Sequence, residues 1–170
     1  MSESFTLYKL IILYMLDKVD FPLTNAQISE FILNKGYTTY FTLQQAISEL
    51  LETNLISEET AHNRTLFHLT EEGCESIHYF SNKISEQIRQ EIDDFLSEKR
   101  YDLKNEVSVK ATYYRNTNLE YSVQCQVIEH SMPLIDLTVS VPSEEEAKTV
   151  VANWNAKNQE IYAYIMTHLL

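Results

Sequence analysis

The chain has 170 residues, 44% hydrophobic and 22% charged, the make-up of a globular protein with one domain or two small ones. Only two glycines and three prolines leave no material for a Gly-rich phosphate loop and little for linkers. The net charge of −12 argues against strong non-specific attraction to DNA or to an anionic membrane. Residues 1–70 share the bias, with Lys9, Lys18, Lys35 and Arg64 set against twice as many carboxylates.

The first helix is expected from about Thr6 to Val19, where Leu7, Leu10, Ile11 and Tyr14 fall at helical spacing. Lys9, Asp17 and Lys18 interrupt this stretch, so no signal peptide is expected of it. No segment approaches the ~20 apolar residues of a membrane span. A cytoplasmic protein without a membrane partner is the expectation. Asp20-Phe21-Pro22 ends the helix. Thr24 with Gln27 reads as a capping box for a second helix, buried through Ile28, Phe31 and Ile32 and stopped by Gly36. Thr42 and Gln45 repeat the cap pattern before a third helix with the stripe Leu43, Ala46, Ile47, Leu50 and Leu51. Asn54 suits the left-handed position that closes it.

Leu55-Ile56 starts one strand and Arg64 to Leu69 forms the next, with a polar turn at Ala61 to Arg64. Thr70 is the natural N-cap of the following helix, where Glu71 and Glu72 complement the dipole. Gly73 inside that helix costs about 1 kcal/mol relative to Ala, which implies close packing against a neighbouring backbone. The helix is expected to run unbroken from Glu71 to Lys99, roughly 40 Å. Its stripe of Ile77, Phe80, Ile84, Ile88 and Ile92 is too long for a small domain to cover. A homodimer through these five residues is therefore expected, with coverage by the C-terminal region as the competing outcome.

From Asn105 the apolar period changes to two. Val107 to Tyr113 and Tyr121 to Val127 read as strands around an Asn116-Thr117-Asn118 loop, and Leu134 to Val141 as a third. Ser143 and Glu146 then cap a last helix carrying Ala147, Val150, Val151, Trp154, Ile161 and Ile165. The fold class is thus α+β. A winged helix-turn-helix is expected at residues 1–70, a long connecting helix at 71–100 and a three-stranded antiparallel sheet covered by one helix at 101–170.

Phe67-His68-Leu69-Thr70-Glu71-Glu72-Gly73 resembles the strand-to-helix junction of PadR-like and MarR-like bacterial winged-helix regulators, and Thr42 to Glu52 resembles their third helix. The resemblance covers about residues 5–75. The whole chain is similar to a family of uncharacterised bacterial proteins catalogued as a domain of unknown function. The regulators usually carry Arg or Lys on the third helix; here none occurs from Thr39 to Asn54.

The resemblance implies a non-catalytic DNA-binding transcriptional regulator, its third helix in the major groove and its wing on the backbone of double-stranded DNA. The residues placed to contact the duplex are Lys35, Thr38, Thr39, Tyr40, Gln44, Gln45 and Ser48, with His62, Asn63 and Arg64 on the wing. Gln side chains hydrogen-bond adenine edges, and cations and hydroxyls meet phosphates. The alternative is a winged helix used for protein–protein contact, with a C-terminal module that binds an unknown small molecule or protein. Tyr113, Tyr114 and Tyr121 suit either a small-molecule pocket or cross-strand pairing. Cys74 and His78 stand at i, i+4 with Glu71 and Glu75 near, which is half a zinc site; it lacks two ligands, so no metal and no cofactor are expected. No nucleophile elbow or local catalytic triad is present.

Overall fold

The computed structural model describes residues 2–61, 64–130 and 132–170. It is α+β, with two three-stranded antiparallel sheets, and divides into two compact units at Val107/Ser108. Among the described residues no helix is long and apolar enough to cross a membrane.

The first unit opens with α1 (Glu3–Asp17), capped by Ser2. The sequence shows one apolar stripe here, yet Leu10 through Leu16 are buried without a break. A helix that is apolar all round must be enclosed all round, and α1 is the central post of this unit. A two-residue strand β1 (Leu23–Thr24) follows, unforeseen because so short a strand has no period. Thr24 then caps α2 (Asn25–Asn34) in a complete box with Gln27, and Gly36 takes φ +70° just beyond it. The third helix, α3 (Tyr40–Glu52), starts earlier than expected. Thr39, not Thr42, is its N-cap, accepting from the Thr42 amide. The hydroxyls of Thr39 and Thr42 lie 3.1 Å apart, so both threonines belong to one cap. Asn54 closes the helix at φ +59°.

Strands β2 (Ile56–Ala61) and β3 (Arg64–Leu69) pair in register from Ile56↔Leu69 to Ala61↔Arg64, and β1 adds to the other edge of β3. Thr70 caps α4 (Glu71–Phe80). The reason for Gly73 is direct. A Cβ there would lie 1.9 Å from the carbonyl oxygen of Leu55, so only Gly lets α4 sit on the start of the hairpin.

The expected unbroken helix does not form. A 3₁₀ turn at Ser81–Lys83 interrupts it, Ile84 is extended, and α5 (Glu86–Ser108) begins afresh. Ser85 supports the restart by accepting from the Ile88 amide, the local bond with which Ser competes against a continuing helix. The apolar residues keep a spacing of three and four across the break, which is why the period concealed it. The break folds both helices onto one core. Ile77, Ile84 and Ile92 are buried with α1, and Ile88 packs partly buried beside them. Phe80 alone of the expected dimer stripe stays 37% exposed. The stripe is thus covered within the chain, and the argument for a second subunit drawn from its length falls.

Helix α5 is bound to the rest of the unit along its length. Phe95 meets Phe31 at 5.0 Å between ring centroids, and Tyr14 donates to Asp93. Buried Gln27 donates to Leu103 O at 3.3 Å and to Glu106 at 2.8 Å. The connecting region is therefore part of the first unit rather than a spacer. Helix also continues to Ser108, past the start expected for the sheet.

The second unit holds β4 (Val109–Arg115), β5 (Tyr121–Glu129) and β6 (Met132–Val141) in sequence order, followed by α6 (Glu144–Leu169) with its Ser143–Glu146 capping box. Trp154 anchors α6, its ring buried against Val123 and Cys125 and its indole N–H donating to Gln126 O. The opposite sheet face is polar. Gln124 and Gln126 there donate to Asp136, polar pairing of the kind one face of an antiparallel sheet commonly carries.

Candidate nucleic-acid interface

The first turn of α3 sets the geometry of the face expected to meet DNA. Because the helix begins at Tyr40, Tyr40 and Phe41 project from its start, 51% and 85% exposed, with rings edge to face at 6.2 Å. Thr38, Thr42, Gln45 and Glu49 line an open cleft of about 570 Å³ shared with Ser2, Ser4, Phe5 and Tyr8 at the start of α1. Gln45 and Ser48 are exposed, Lys35 lies exposed at the C-cap of α2, and Thr39 serves as the cap described above.

Two expected contacts are engaged elsewhere. The Gln44 amide exchanges hydrogen bonds with Asn25 at 3.0 and 3.4 Å, tying α3 to the first turn of α2. Arg64 donates to Glu106 O at 3.0 Å and pairs with the Glu106 carboxylate at 3.5 Å. Sequence spacing could not show this, since Glu106 stands 42 residues away. His62 and Asn63 lie outside the described residues. Lys9 is held by Glu49 at 3.2 Å, on the flank of α3 itself. Lys99 pairs with Glu30, and Arg100 with Asp20 at 2.8 Å. Four cations of this unit thus face its own carboxylates.

Two tyrosines fix α5 through acidic partners. Burial, reinforced by the Asp93 carboxylate, pushes the Tyr14 hydroxyl up to about 12. Burial and a hydrogen bond to Glu91 push Tyr37 up further, and that bond holds the Glu91 carboxyl below its usual range. The second unit offers less to a ligand. Tyr113 and Tyr121 meet edge to face at 6.2 Å on the α6 side, and Tyr113 donates to Glu144. Tyr114 is exposed. Aromatic packing accounts for the first two.

A different set of residues converges at the far end of α1. Asp17 reaches Cys74 and His78 on α4. His78 Nε2 lies 3.0 Å from Asp17 Oδ1, and Cys74 Sγ lies 3.8 Å from both. Desolvation, then the Asp17 charge, hold the Cys74 thiol above its usual range. The i, i+4 pair was visible in sequence, but Asp17, 57 residues before Cys74, becomes its neighbour only through the α1–α4 packing.

The chain belongs to the family described as Domain of unknown function (DUF4364), which matches residues 8–169. No curated protein and no solved structure matches it.

Proposed function

We propose that this member of the DUF4364 family is a non-catalytic DNA-binding regulator whose first unit is a winged helix-turn-helix, with α3 as the reading helix and the β2–β3 hairpin as the wing. The observation that carries the reading is the order α1–β1–α2–α3–β2–β3, with β1 closing the hairpin sheet. That order presents one helix and one loop together to a duplex. Thr38, Gln45 and Ser48 supply uncharged donors and acceptors for base edges and phosphates, and Lys35 a cation. Gln45 replaces Gln44 as the base reader, since Gln44 is occupied by Asn25.

The paired cations set the expected energetics. Where Arg64 stays on Glu106 it releases few counterions from DNA, so affinity is low and weakly salt-dependent. Glu106→Gln removes the carboxylate charge opposite Arg64 while leaving its bond to the Glu106 carbonyl, and is expected to tighten duplex binding and steepen the log–log salt slope by up to about 0.9 per chain. Gln45→Ala lowers discrimination by ~1–3 kcal/mol at one base pair. The measurement is fluorescence anisotropy on a duplex selected from random sequence, at several salt concentrations.

A second reading, protein contact through the same helix, is favoured by the exposed Tyr40–Phe41 pair, since aromatic side chains anchor protein interfaces. If no selected duplex binds below ~100 μM at low salt, a range typical of non-specific contact, the DNA reading is overturned and the protein-contact reading replaces it.

A further inference from the structure

We propose that Asp17, Cys74 and His78 form a divalent-cation site of the zinc type, with three protein ligands and one position left to water. The proposal is independent of what α3 contacts. The three candidate donor atoms all lie within 4.8 Å of one another. Zinc bonds of about 2.0–2.3 Å to oxygen, nitrogen and sulfur at tetrahedral angles separate the donors by roughly 3.3–3.6 Å. The observed separations are 3.0, 3.8 and 3.8 Å. Side-chain adjustments of a few tenths of an ångström seat the ion.

The chemistry of the set selects the metal. A thiolate and an imidazole favour zinc over magnesium or calcium, which take oxygen donors. On binding, Cys74 loses its thiol proton to solvent. Zn²⁺ with one thiolate, one carboxylate and a neutral imidazole is then electrically balanced. The His78 side chain is 64% exposed and the Asp17 side chain 16%, so an ion can enter from solvent while the carboxylate is held. The scaffold is rigid where it matters. Gly73, immediately before Cys74, fixes the height of α4 against Leu55 O. An ion here would clamp the end of α1, the central post, to the helix that follows the hairpin.

The simpler arrangement is a His78–Asp17 ion pair with a thiol beside it, and zinc would then do nothing. The test uses the untagged full-length protein, stripped with chelator and titrated with Co²⁺ and then Zn²⁺. The expected results are one equivalent bound per chain, a thiolate-to-cobalt charge-transfer band that zinc abolishes, and a rise in Tm with zinc but not with Mg²⁺. Outer partners of a metal site are worth on the order of 10–100-fold in affinity, so removing a ligand weakens binding at least about 100-fold. His78→Ala, at an exposed position, is expected to fold normally and to lose the zinc-dependent Tm shift. Cys74→Ser is expected to lose the charge-transfer band. Absence of the band in the wild type, or an undiminished Tm shift in His78→Ala, overturns the proposal.

Discussion

Gly73→Ala tests whether the seat of α4 is as tight as its geometry requires. In an unobstructed helix the substitution stabilises by about 1 kcal/mol. Here the new methyl would stand 1.9 Å from Leu55 O and 2.8 Å from Leu69 Cδ1. Normal separations are ~3.5 Å, so backbone must move by roughly 1.5 Å. Leu55 O is not free to move. It accepts from the Thr70 amide at 3.3 Å and the Thr70 hydroxyl at 2.9 Å, and that hydroxyl also caps α4 through Gly73 N. Overpacking costs about 1–3 kcal/mol, and each weakened hydrogen bond about 1 kcal/mol. Set against the gain in helix propensity, the net expectation is a loss of roughly 2–4 kcal/mol. Gly36→Ala is the matched control. Nothing lies within 4 Å of its Cβ position, so only the left-handed φ of +70° opposes it, at ~1–2 kcal/mol. Urea unfolding with unchanged m-value measures both. A Gly73→Ala protein as stable as wild type, or more so, refutes the close approach.

Two further predictions concern stability. Tyr14 titrates near 12 in the fold instead of 10, so its contribution is intact below pH 10 and is lost as pH rises from 10 towards 12. Two pH units correspond to about 3 kcal/mol; across that window wild type should lose this much more stability than Tyr14→Phe, and parallel decline of the two in pH-dependent unfolding would contradict it. Leu119 is 70% exposed at φ +64° in the β4–β5 turn. Asn tolerates that conformation, so Leu119→Asn should raise stability by ~0.5–1 kcal/mol, read as an increase in Tm.

Signals that act over three or four residues were legible. The Thr24–Gln27 and Ser143–Glu146 capping boxes, the left-handed Gly36 and Asn54, and the tight approach at Gly73 all stand as read. The α+β class and the three-strand-plus-helix second unit follow from the change of period near Asn105. What failed was whatever depends on distant partners. The break at Ser81–Lys83 preserves the apolar phase, so no periodicity reveals it, and with it went the argument for dimerisation. Gln44 and Arg64 looked free because Asn25 and Glu106 are remote in sequence. The same blindness hid Asp17 from Cys74 and His78.

The enclosure of α1 also constrains how the protein is made. This helix leaves the ribosome well before α5, yet its Tyr14 waits for Asp93, 79 residues later, and Leu10 to Leu16 share one core with Ile77, Ile84 and Ile92. At ~5–20 residues per second that interval lasts several seconds or more. For that time the most apolar stretch of the nascent chain stays open to chaperones and to other chains. Residues 1–70, though they hold every element of the hairpin and three helices, lack the part of the core that Ile77, Ile84, Ile92, Leu96 and Leu103 supply. The first compact unit ends at Val107, in the last turn of α5.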